Sequence, residues 1–200
     1  MKNEFDPDIR KLIEERIPAR FAHAKISEIN KQIYDYLLQK RFTKPHCKGL
    51  FLYGKVGAGK TYTVCALAKQ LLANDYDVRI FNLPGLLNII RSSFKKENTY
   101  DEQHEQTTTA FVHDMKDIEK LINLEILIID DIGKEKPSAW VAEILYYLIN
   151  TRYEKMLTTI FTSNLKLSEL AEKIEDSSLV SRIKESCEIY HINTNDKRIQ

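Results

Sequence analysis

The chain has 200 residues, 43% of them hydrophobic and 30% charged, enough for one domain with a real core. No run approaches the roughly 20 apolar residues that a membrane helix needs, which excludes a spanning segment and any membrane partner. With 30 basic against 29 acidic residues the net charge is +1, which excludes a chain that coats DNA by overall charge; any nucleic-acid contact has to come from a local patch.

In chain order, Met1 to Arg10 is polar and carries acids, unlike a secretory signal or a transit peptide. Asp8 to Ile17 reads as a helical lead-in stopped by Pro18, and Ile26 to Gln39 as a second helix with apolar residues at helical spacing. Gly49 to Tyr53 is a short strand ending in glycine. Lys60 to Asn74 carries Val64, Leu67, Ala68, Leu71 and Leu72 in the pattern of a helix packed on a sheet. Val78 to Phe81 is a brief strand, Pro84 to Phe94 a helix, and Thr99 to Thr109 a polar loop. Leu124 to Ile129 is a continuous apolar strand of the kind covered on both faces. Ser138 caps a helix through Leu148, Leu157 to Phe161 is a strand, helical turns start at Ser168 and Leu179, and Glu188 to Ile192 is the last strand. This alternation predicts an α/β fold, a parallel sheet with helices on both faces. The three cysteines, Cys47, Cys65 and Cys187, lack C-x-x-C spacing, so reduced thiols in a cytoplasmic protein are expected.

Gly54-Lys55-Val56-Gly57-Ala58-Gly59-Lys60-Thr61 fits the phosphate loop G-x-x-x-x-G-K-S/T, and three of the chain's six glycines lie in it. Glycines let successive backbone N–H groups face an anion, the lysine reaches the β and γ phosphates, and the threonine hydroxyl coordinates Mg²⁺. A strand before and an amphipathic helix after complete the context for ATP with Mg²⁺. The apolar strand Ile126 to Ile129 then delivers Asp130 as a second magnesium ligand. Asp131 follows where many hydrolysing proteins of this kind carry an acid that polarises the attacking water; here it is Asp, one methylene shorter than the commoner Glu. The alternative is that Asp131 caps a turn with Gly133.

Together these segments resemble the AAA+ ATPases of the bacterial DnaC/DnaI helicase-loader and IstB transposition-helper group. Ile17-Pro18-Ala19-Arg20-Phe21 resembles the entry to that core, and Gly59-Lys60-Thr61-Tyr62 with Ala66-Leu67-Ala68 its Walker A helix. Asp130-Asp131-Ile132-Gly133 resembles its Walker B, Asn150-Thr151-Arg152-Tyr153 its N-x-R-Y segment, Thr162-Ser163-Asn164-Leu165 its T-S-N segment, and Ser181-Arg182-Ile183 its arginine motif. The resemblance implies a three-layer P-loop AAA+ core without a C-terminal lid domain, residues 1–45 being a helical lead-in and 46–200 the core. It implies catalytic roles for Asp131, for Asn164 as sensor 1, and for Arg182 as an arginine finger inserted into a neighbouring subunit's ATP site. Asn164 is otherwise a strand-end turn residue and Arg182 a surface arginine; Arg152 either serves the same interface or forms an ordinary ion pair. Tyr62 and Phe21 join the nucleotide site, Phe21 packing the base or belonging to the core.

The same resemblance places single-stranded DNA against the segment Pro84 to Lys96, where Arg91, Lys95 and Lys96 supply cations on a polar stripe; the bland alternative is a solvated amphipathic face. The function implied is an ATP-hydrolysing homo-oligomeric switch that loads or remodels a replicative helicase in DNA replication; the alternative is a helper of a transposase. The loaders' separate N-terminal helicase-gripping domain is not expected within these 200 residues, because the resemblance to the core already begins near Ile17. A small-molecule P-loop kinase would need phosphate-clamping arginines that Glu97 to Thr109 does not offer, and the short Asp131 leaves open a non-hydrolysing module.

Overall fold

The computed structural model describes residues 7–39, 48–92, 94–101, 106–113, 116–134 and 138–193; for 37–39, 92, 94–101, 106–113, 116 and 117 only the backbone is described. Cys47 and Arg198 lie outside these residues.

Five short apolar runs build one sheet: β1 (Gly49–Tyr53), β2 (Val78–Asn82), β5 (Ile126–Asp130), β6 (Thr158–Ser163) and β7 (Cys187–His191). Their order is β2-β5-β6-β1-β7 and every pairing is parallel. Strand alternation divides the core in two. Leu50, Leu52, Ile126, Ile128 and Ile160 face a layer built by α1 (Pro7–Arg16), α2 (Lys31–Gln39) and α3 (Lys60–Leu72). Phe51, Leu127, Ile129 and Phe161 face the other, built by α4 (Leu83–Ser92), α5 (Lys116–Asn123), α6 (Ala139–Glu154), α7 (Leu167–Ile174) and α8 (Ser177–Ser186). Both faces are covered, which is why β1 and the Ile126–Ile129 run of β5 are apolar at every position, whereas in the edge strand β7 half-buried residues alternate with exposed ones after Cys187. The architecture is the three-layer α/β core expected, with no separate lid among the described residues.

The lead-in shares the first core: Ile9, Ile13, Ile17, Ala24 and Ile33 are buried with Val64 and Leu67 of α3. The single helix expected over Ile26–Gln39 is broken. A 3-10 turn spans Ile26–Glu28, Ile29 is extended, and Asn30 starts α2 by accepting the Gln32 N–H on Oδ1 at 2.8 Å. Asparagine offers the backbone this local alternative to a continuous helix.

The second correction is larger. The helix expected over Pro84 to Phe94 stops at Ser92, and β3 (Phe94–Asp101), which takes in Lys95 and Lys96 of the expected DNA-contact segment, pairs antiparallel with β4 (Gln106–His113) as a separate two-stranded sheet. The stretch Thr99 to Thr109 expected as a loop therefore belongs mostly to this hairpin. Thr107-Thr108-Thr109 and Phe111-Val112 are β-branched or aromatic residues, which fit an extended pleat better than a helix or coil. The helix itself starts cleanly: Asn82 Oδ1 accepts the Gly85 N–H at 2.8 Å, and Pro84 sits where no N–H is needed.

No described helix is long and apolar enough to cross a membrane. Cys65 and Cys187 are free and buried, and burial pushes both thiols up to about 12, which leaves them protonated and unreactive.

Candidate active site

The C-terminal ends of three adjacent strands converge. The loop after β1 turns into α3, β5 ends on Asp130, and Asn164 follows β6 directly. Gly54 leaves β1 at φ +157, its N–H bonded to the Ser163 carbonyl, and a Cβ there would lie 2.2 Å from the Ile192 carbonyl oxygen. Only glycine fits between two neighbouring strands at that corner. Gly59 caps α3 at φ +92 and faces open space, so the first turn of α3 presents its N–H groups outward. Lys55 and Val56 form the exposed tip of the loop, while Gly57 and Ala58 are buried.

Lys60 is only 5% exposed, although lysine is rarely buried unless its charge is met. Its amine donates to the carbonyls of Gly54 (2.9 Å) and Lys55 (3.0 Å) and to Asn164 Oδ1 (2.7 Å). Thr61 Oγ1 donates to the Asp130 carboxylate at 3.0 and 3.2 Å. The loop and the β5 acid, far apart in sequence, thus touch through the two residues expected to share a metal.

Thr162 is the member of this cluster that sequence reasoning left without a role. Its hydroxyl donates to Asp130 Oδ1 at 2.5 Å and accepts the Asp131 N–H at 2.8 Å. The signal was in the T-S-N segment, of which only the asparagine had an assignment. Burial pushes the Asp130 carboxyl above the usual range, reinforced by the charge of Asp131 and opposed by the hydrogen bonds from Thr162 and Thr61 and by the Lys60 charge.

Asp131 takes φ +61, a left-handed conformation that Asp tolerates better than most residues. Its backbone N–H is held by Thr162, and no side-chain hydrogen bond of Asp131 is found among the described residues. The hydroxyl of Thr61 and the carboxylate of Asp130 are hard oxygen donors on adjacent elements. That set suits Mg²⁺, which takes one or two protein oxygens and fills the rest from water and phosphate. Consistently, no cluster of three or more His, Cys, Asp or Glu among the described residues could cage a metal.

Tyr62 faces the lead-in: its hydroxyl accepts the Lys25 N–H at 3.1 Å and donates to Glu28, and its ring lies 5.9 Å from His23. Phe21 is half-buried against the core layer of α3, with the Arg20 guanidinium 5.9 Å from its ring. Lys69, two turns further along α3, donates to the carbonyls of Ala22 (2.8 Å) and Ala24 (2.9 Å) and fixes this segment against the helix.

The arginines separate. Arg182 on α8 contacts α6: its Nε donates to Asn150 Oδ1 at 3.1 Å and its guanidinium sits 4.8 Å from the Tyr153 ring. Arg152, expected at the same interface or in an ion pair, does neither. It is fully buried and donates to Thr159 Oγ1 and to the carbonyls of Leu121, Ile122, Leu124 and Thr158 at 2.6–3.1 Å. It caps the C-terminus of α5, and burial pulls its guanidinium down to about 9. Arg91 is exposed on α4 with its guanidinium 5.3 Å from the Trp140 ring, whereas Lys95 and Lys96 fall on β3, so the continuous helical stripe expected of the three does not form.

Comparison with known proteins gives the same picture. A family profile described as "IstB-like ATP binding protein" matches residues 8–200. The replicative helicase loader DnaI of Bacillus subtilis (strain 168) is 30% identical over 124 residues, 62% of this chain and 35% of that protein. The replicative helicase loader DnaC of Escherichia coli (strain K12) is 23% identical over 119 residues, 60% of this chain and 43% of that protein. The chain thus spans less than half the length of these two relatives. A crystal structure of DnaI superposes with a TM-score of 0.69 at 21% identity, covering 91% of this chain and 94% of that one, which supports the fold. The chain belongs to the IstB-like ATP-binding family, in the AAA+ group that includes the DnaI and DnaC helicase loaders.

Proposed function

We propose that this chain hydrolyses ATP as an AAA+ switch and acts on DNA by loading or remodelling a replicative helicase. The observation that carries the reading is the contact of Lys60 with Asn164 and of Thr61 with Asp130, at the ends of three adjacent strands. In this reading the N–H groups of Gly54 to Thr61 and the Lys60 amine bind the triphosphate, and Tyr62 and Phe21 border the base. Thr61 and Asp130 hold Mg²⁺. Magnesium, when bound, neutralises phosphate charge in the transition state. Asp131 orients a water and takes its proton as the water oxygen bonds to the γ phosphorus and the bond to the β–γ bridging oxygen breaks. Asn164 leaves Lys60 to orient that water or contact the γ phosphate. Arg182 comes from a neighbouring subunit, where its permanent charge stabilises the transferring phosphoryl; such a finger is worth about 10³ to 10⁵ in rate.

Arg91, Lys95 and Lys96 are the proposed contacts to single-stranded DNA. A few cations per subunit bind weakly, but an assembly repeats them along one strand. A second reading, an ATPase helper of a transposase, is favoured by the family's IstB-like description.

The test is ATP turnover per subunit against protein concentration, with and without single-stranded DNA, beside an Arg182→Ala control. Turnover that rises with concentration or DNA and collapses in the control supports the reading. Flat turnover, indifferent to DNA and to Arg182, overturns it. Capture of a transposase and no helicase by the full-length protein would decide for the second reading.

A further inference from the structure

The N-x-R-Y segment near the end of α6 divides its labour between two sides of one helix. Arg152 points inward, fully buried, to the carbonyls that end α5. Asn150 and Tyr153, three residues apart and therefore on one face, point the other way and meet α8. Both touch the same group. Asn150 Oδ1 accepts from Arg182 Nε at 3.1 Å, and the Tyr153 ring lies 4.8 Å from the Arg182 guanidinium carbon, a cation–π distance.

Each contact is itself fixed. Asn150 Nδ2 donates to Glu154 Oε1 at 2.8 Å, one helical turn on, which turns the amide oxygen toward Arg182. The Tyr153 hydroxyl is held above its usual pKa chiefly by its hydrogen bond to Glu185 of α8, opposed by the charge and hydrogen bond of Arg182. Ser186 Oγ donates to the Arg182 carbonyl at 2.7 Å in the last turn of the same helix. A half-exposed arginine with four rotatable bonds normally samples many rotamers, and fixing one costs side-chain entropy. Here the Tyr153 ring restrains one guanidinium face, the Tyr153 hydroxyl meets the same side chain, and the Asn150 amide restrains Nε, so both residues act on one guanidinium.

Building on the finger role proposed above, we propose that Asn150 and Tyr153 are positioning residues that hold the Arg182 guanidinium in one place at the junction of α6 and α8, ready for the ATP of a neighbouring subunit. They act through Arg182 and touch no substrate, so their loss alters the finger a subunit offers and leaves its own nucleotide site intact.

Mixing subunits separates the two sites. Acceptor subunits carry Arg182→Ala with an intact phosphate loop; donor subunits carry Lys60→Ala with an intact Arg182. Neither turns over alone, and the mixture recovers turnover where one subunit's finger serves another's ATP. Donors that also carry Asn150→Ala or Tyr153→Ala are expected to restore about 10- to 100-fold less, the loss that follows from misplacing a catalytic group by about 1 Å. A donor with Tyr153→Phe keeps the ring and restores most of it. In chains with Lys60 intact, Asn150→Ala and Tyr153→Ala leave the Kd for ATP unchanged, a result that general unfolding would not give. If donors carrying Asn150→Ala and Tyr153→Ala rescue fully, while a donor carrying Arg182→Ala does not, the finger stands and the positioning role is refuted. If Arg182→Ala subunits turn over normally by themselves, the finger reading falls and this assignment falls with it.

Discussion

Replacing Arg152 by methionine tests the most unusual interior contact of the molecule. The methionine fills a similar length but donates nothing. It leaves the carbonyls of Leu121, Ile122, Leu124 and Thr158 without the guanidinium that satisfies them, in a place that solvent does not reach. A buried acceptor left unpaired costs about 1–3 kcal/mol. Against this, the substitution removes a buried charge that burial already destabilises, as the fall of its pKa to about 9 records. The acceptors outnumber the single charge, so the expected net loss is about 3–5 kcal/mol. For a chain of this size 1 kcal/mol moves Tm by about 2–4 °C, so the melting point should fall by about 6–20 °C in a thermal scan followed by circular dichroism. Arg152→Lys, with one reaching ammonium and three donors, should recover part of the loss. A methionine variant as stable as the parent would show that water or relaxation satisfies the α5 carbonyls, and the capping role would be wrong.

Asp130→Asn should raise the stability of the nucleotide-free protein while abolishing magnesium-dependent ATP binding. Because burial raises the folded carboxyl above its unfolded value, ionisation costs stability as pH rises through the unfolded and then the folded pKa; the gain should therefore be present at neutral pH and vanish in acid, below both, in parallel melts. Thr162→Val removes the hydroxyl that serves both Asp130 and the Asp131 N–H, and should cost about 1–3 kcal/mol in urea titration and lower kcat more than it weakens ATP binding. Gly54→Ala forces a Cβ to 2.2 Å from the Ile192 carbonyl, so a loss of about 1–3 kcal/mol with weaker ATP binding is expected; a urea midpoint equal to that of the parent would refute the packing argument.

Much of the candidate site was legible because its chemistry is local. The glycine spacing, the lysine and threonine at the start of α3, and the apolar run ending in acid each needed only a few adjacent residues. The strand order was not legible, since nothing in β2 or β7 says which neighbour it pairs with. Arg152 was misread because a charged residue on an amphipathic helix is exposed by default, and only the meeting of α5, α6 and β6 reveals four carbonyls waiting for it. The hairpin was missed for a related reason: its charged and polar residues mask a β-branched composition, and β preference depends on the partner strand more than on the segment itself. Thr162 became visible only when β6 was placed beside β5.

The buried amine of Lys69 has a consequence for motion. By holding the carbonyls of Ala22 and Ala24 it fastens a segment with little regular structure of its own to the helix that carries Lys60 and Thr61. Irregular segments near a chain terminus ordinarily exchange their amide hydrogens quickly, through local fraying. This one cannot lift without exposing a desolvated ammonium and two carbonyls, so the amide of Ala24, bonded to the Phe21 carbonyl, should exchange on the slow timescale of α3 rather than that of a loop.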